Sequence, residues 1–128
     1  MAIVRLKAGD LIQINRRLTD RTNDPEVSGV DWQRLVKVIE CHYHDLGAEP
    51  HTYIATLVEA MMKDPPFEKR NAATAVLALY EFYRLNGLDL VTPEYDLLAM
   101  FETGQLPMDG AELAKYLSGH VRALPQDS

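Results

Sequence analysis

The chain has 128 residues and a formal net charge of −6, with 19 acidic against 13 basic side chains. A single domain over residues 1–128 buries roughly two-thirds of its unfolded surface, and the lone cysteine excludes a disulfide framework within the chain. A pI of about 5.1 argues against direct nucleic-acid binding, which needs a basic surface to release counterions; without a membrane-length apolar run or a signal-peptide pattern in MAIVRLKAGD, the expected compartment is the cytoplasm.

Residues 2–6 alternate and predict a short N-terminal strand or flap that pairs near residues 88–91. A first helix is expected over residues 10–19, followed by a turn-rich stretch over 20–29 containing Asn23-Asp24-Pro25. Asp31 is placed to cap a second helix over 32–46, where Trp32, Leu35, Val36, Ile39 and Tyr43 share a face at helical spacing. Pro50 opens a third helix. It must stop near Asp64, because Pro65 and Pro66 donate no backbone hydrogen bond and disfavour helix in the residue before them. A fourth helix starts near residues 69–71. Its apolar residues over 72–85 wrap nearly the whole circumference, which marks a helix buried on most sides, and Asn86-Gly87 ends it. Thr92 as N-cap with Pro93 in the first turn starts a fifth helix that Gly104 closes. Asp109 caps the last, with Glu112 as capping-box partner and an end near residue 124. The expected fold is an all-α bundle of about six helices around the buried helix over 70–86.

Cys41-His42-Tyr43-His44 and His51 superficially suggest a metal site. On a helix, however, His42 and His44 point about 200° apart, and zinc needs three or four convergent ligands, so no metal is expected. Cys41 lacks an activating motif and reads as packing, and His120 as a complement to a helix dipole. Glu68-Lys69-Arg70 has two readings. One is a solvated loop; the other is an anion or partner contact at a helix N-terminus, where two cations, Asn71 and free N–H groups converge.

The stretch over residues 65–87, PPFEKRNAATAVLALYEFYRLNG, resembles the signature of the Fic/Doc family, the Fido fold that includes death-on-curing toxins. That signature runs His-Pro-Phe-x-Asp/Glu-Gly-Asn-Lys/Gly-Arg-Thr-Ala and continues into a helix ending Phe-Leu-x-x-Asn-Gly. Without a gap, Pro66, Phe67, Asn71, Thr74, Ala75, Phe82, Asn86 and Gly87 match it. The resemblance implies a short death-on-curing-like domain covering most of the chain.

It also implies where chemistry has been lost. The family's general base falls at Pro65, which has nothing to titrate, and its acidic metal ligand at Lys69, which repels a cation. The glycine that lets phosphate approach falls at Arg70, and the basic pair at Ala72 and Ala73. Phosphoryl transfer depends on positioning and charge stabilisation, so such a site is expected to be catalytically inactive. The implied function is binding of a protein partner or an antitoxin-like peptide, in a toxin-antitoxin-like context. Phe67, Lys69, Arg70 and Asn71 are the candidate anion- or ligand-binding residues, with no cofactor beyond weak ATP or phosphate binding. The alternative is a divergent transferase moving a phosphoryl or AMP group from a nucleoside triphosphate to a target hydroxyl, with Lys69 or Arg70 replacing the missing basic pair.

Overall fold

The structure is a computed structural model that describes residues 3–21, 29–40, 49–103 and 109–124. Within these the chain forms α1 (Ala8–Arg21), α2 (Trp32–Glu40), α3 (Pro50–Lys63), α4 (Asn71–Leu85), β1 (Leu88–Leu90), α5 (Glu94–Thr103), α6 (Gly110–Ser118) and β2 (Val121–Ala123). The architecture is all-α with one short two-stranded sheet.

The buried helix is α4. Thr74, Ala75, Val76, Ala78, Leu79, Phe82 and Tyr83 are all buried along it, and a leucine- or phenylalanine-sized side chain contributes about 1.5–3 kcal/mol when fully withdrawn from water. Helices α1, α3 and α5 and strand β1 pack directly on α4, while α2 and α6 find their chief neighbour in α3. Tyr53 from α3 meets Phe82 with ring centroids 5.0 Å apart, and Phe82 meets Tyr83 edge-on at 5.4 Å. Both tyrosine hydroxyls have partners: Tyr53 accepts the Leu6 N–H at 3.1 Å, and Tyr83 lies 2.8 Å from Nδ1 of His51.

Helix starts follow local capping chemistry. Lys7 precedes α1, and Asp10 reaches back to accept the Lys7 N–H at 2.7 Å, which moves the start ahead of the expected residue 10. Asp31 caps α2 by accepting the Arg34 N–H at 3.1 Å. Glu49 caps α3 by accepting the Thr52 N–H, with Pro50 in the first turn. Asp109 caps α6 through the N–H groups of Ala111 and Glu112, and Glu59 of α3 accepts the Gly110 N–H at 2.7 Å. That last bond ties the start of α6 to the helix it packs on.

Further expectations change. Strand β1 pairs antiparallel with β2, not with the N-terminus. Residues 3–7 form no strand, because the Asn86 amide takes both polar groups of Val4, accepting its N–H at 2.7 Å and donating to its carbonyl at 3.0 Å. Helix α6 stops at Ser118, and Gly119 turns the chain into β-prone Val121. The buried face of α2 carries Leu35 and Val38, leaving Trp32 61% and Val36 43% exposed, so it is turned by about 90° from the expected stripe. Thr92 does not cap α5; its hydroxyl lies 3.2 Å from the Tyr116 hydroxyl, and the Pro93 carbonyl accepts the first helical bond from Leu97. The continuation of α2 to residue 46, Cys41, His42, Tyr43, His44 and Gly104 lie outside the described residues.

Burial pushes the phenols up. Tyr80, which donates to the Thr92 carbonyl, is raised to about 12, first by burial and then by the Glu94 carboxylate; Tyr83 is raised further, by burial and then by Glu49. A folded-state value above the unfolded one means that this stability is fully present below about pH 10 and is lost as pH rises through about 12. Spectrophotometric titration should therefore show Tyr80 and Tyr83 ionising only as the chain unfolds. Six phenols titrating together near pH 10 in the folded protein would contradict this packing.

Candidate functional site

The loop between α3 and α4 is where the sequence concentrates its unusual residues. Asp64 ends α3, and Pro65 and Pro66 keep the next residues extended. Phe67 is only 4% exposed and belongs to the core. Its N–H donates to Oδ1 of Asn71 at 3.0 Å, and its carbonyl accepts from Nδ2 of Asn71 at 2.7 Å. One asparagine side chain thus satisfies both backbone groups of one residue and closes the loop upon itself.

Entry into α4 then requires a left-handed residue. Arg70 has φ 61° and ψ 35°, and it is the one non-glycine residue with positive φ among the described residues. Its carbonyl accepts from both the N–H and the hydroxyl of Thr74, at 2.9 and 2.7 Å. Asn15, buried to 2% exposure on α1, donates to the Lys69 carbonyl and to the Thr74 hydroxyl, both at 3.0 Å. No side chain caps α4, so its first turn keeps the N–H groups that an anion favours.

The outer face of the loop pairs with residues 29–31. The Asp31 N–H donates to the Pro66 carbonyl at 2.7 Å and the Glu68 N–H to the Gly29 carbonyl at 2.9 Å, flanking an antiparallel Val30–Phe67 bridge. The Glu68 carboxylate adds a longer bond from the Gly29 N–H at 3.3 Å. Val30 and Phe67 therefore form a non-hydrogen-bonded pair, whose own N–H and C=O groups point to opposite edges. On the Phe67 side the edge is closed by Asn71. On the Val30 side the N–H and C=O have no partner among the described residues.

A groove of about 550 Å³ opens along this pairing, lined by Val30, Trp32, Arg34, Pro65 and Glu68 among others. Arg34 anchors it. Its Nε lies 3.1 Å from Asp64 and 3.5 Å from Asp31, and its Nη1 donates to the Pro65 carbonyl at 3.2 Å. These contacts bind the start of α2 to the end of α3 and neutralise the guanidinium with two carboxylates.

The four expected ligand residues thus separate by role. Phe67 is core, and the Asn71 amide is engaged with Phe67. Lys69 and Arg70 are half-buried at the start of α4, with both carbonyls engaged. Sequence reading missed Asn15, Val30 and Arg34. The signal for Asn15 was available, as a polar residue in register with Leu11, Ile14 and Leu18 on the apolar stripe of α1. Among the described residues, no group of three His, Cys, Asp or Glu is placed to hold a metal ion, and no helix is long and apolar enough to cross a membrane. No family model, curated protein or solved structure matches the chain.

Three substitutions test this loop by urea unfolding. Asn71→Ala strips both Phe67 backbone bonds and should cost about 1–3 kcal/mol. Arg70→Gly should stabilise by up to about 1 kcal/mol by relieving the left-handed backbone, whereas Arg70→Ala, with a Cβ still present, should give no such gain. Equal effects of glycine and alanine at position 70 would show that the backbone is not strained there.

Proposed function

We propose that this chain is a degenerate Fic/Doc-like protein that no longer transfers a group and acts by binding, taking an extended segment of a partner protein alongside residues 29–31. The observation that carries the binding reading is the open edge at Val30, beside an indole that is 61% exposed and a groove of about 550 Å³. An unpaired N–H and C=O on extended backbone select another extended backbone, and neighbouring pockets select its side chains. An antitoxin-like peptide is one such segment. The Fic/Doc-like part of the reading is supported by the ungapped motif and by Arg70, whose left-handed backbone falls at the position the motif gives to glycine. Loss of transfer is argued from Pro65, Lys69, Ala72 and Ala73, which supply neither a base, nor a metal carboxylate, nor the basic pair.

Calorimetric titration with ATP and magnesium, run beside an Arg70→Ala variant, should give at most weak binding. Incubation with labelled nucleoside triphosphate and candidate protein targets should transfer no label. Transfer that disappears in Arg70→Ala would establish the divergent transferase instead.

The binding edge has its own test. Val30 gives neither of the two backbone bonds, nor the Glu68 carboxylate bond, that hold residues 29–31 to the loop, so Val30→Pro removes the outward N–H while leaving those bonds in place. Peptides selected from a displayed random library should perturb the fluorescence of Trp32, the sole tryptophan, and should lose at least tenfold in affinity against Val30→Pro. Unchanged urea stability of that variant serves as the control for folding. Selected peptides that bind both proteins equally would place the site elsewhere.

A further inference from the structure

We draw no further inference here: the strongest candidate, the groove of about 580 Å³ between α1, α4 and the start of α5, is lined by Ile14, Leu77 and Leu85 together with Arg17, Arg84, Glu81 and Glu94, so it selects no ligand charge, and nothing in the structure shows what covers it.

Discussion

Everything in this fold is arranged around how the chain enters α4. Two prolines forbid helix immediately after Asp64, yet Asn71 must begin a helix aimed through the centre of the protein. The reversal is made at Arg70, and a left-handed L-residue costs about 1–2 kcal/mol. Five side-chain hydrogen bonds oppose that cost: two between Asn71 and Phe67, two from Asn15 to Lys69 and Thr74, and one from Thr74 to Arg70. Each contributes about 1 kcal/mol net, and Asn15 and Thr74 are buried, where an unmade bond costs more. The bonds outweigh the strain, which is why an arginine can stand where glycine is the cheaper residue.

The same turn sets up the outer edge. With both polar groups of Phe67 held inward by Asn71, the carbonyl of Pro66 and the N–H of Glu68 are left facing the opposite side, where residues 29–31 meet them. Arg34 then pins α2 to the end of α3 through Asp31, Asp64 and Pro65. The exposed edge of Val30 is consequently held at both ends by elements anchored in the core. A pre-ordered edge loses less conformational entropy on pairing than a free loop would, so it suits binding better than its length suggests.

Much of this was legible in the sequence, and the reasons for success and failure are physical. Helix starts at Asp31, Pro50 and Asp109 follow from one or two residues of local chemistry, and the burial of α4 follows from its apolar circumference. The partner of β1 was not legible, because pairing depends on which segment lies nearby in space, and the side chain of Asn86 removes Val4 from contention. The face of α2 was misjudged because Trp32 and Val36 are apolar yet exposed, and periodicity alone does not distinguish a core stripe from an interaction stripe. At the loop, Phe67 and Asn71 stood out as residue types, but their roles as core and clamp need the geometry.

A division within the motif gives the Fic/Doc-like reading its internal logic. The positions that keep the motif include Phe67, Asn71 and Thr74, and these are the ones that hold the loop: Phe67 fills the core, Asn71 clamps it, and Thr74 takes the Arg70 carbonyl. The positions that depart from it are Pro65, Lys69, Arg70, Ala72 and Ala73, and of these Pro65, Ala72 and Ala73 have no polar side chain to lend to the loop. The loop is therefore closed by Phe67, Asn71 and Thr74 with no polar side chain at positions 65, 72 and 73. The two sets meet in the backbone, where the Lys69 carbonyl accepts from Asn15 and the Arg70 carbonyl accepts from Thr74. Arg70 holds the left-handed backbone that glycine adopts at least cost, and that strain is the feature most open to test at the start of α4.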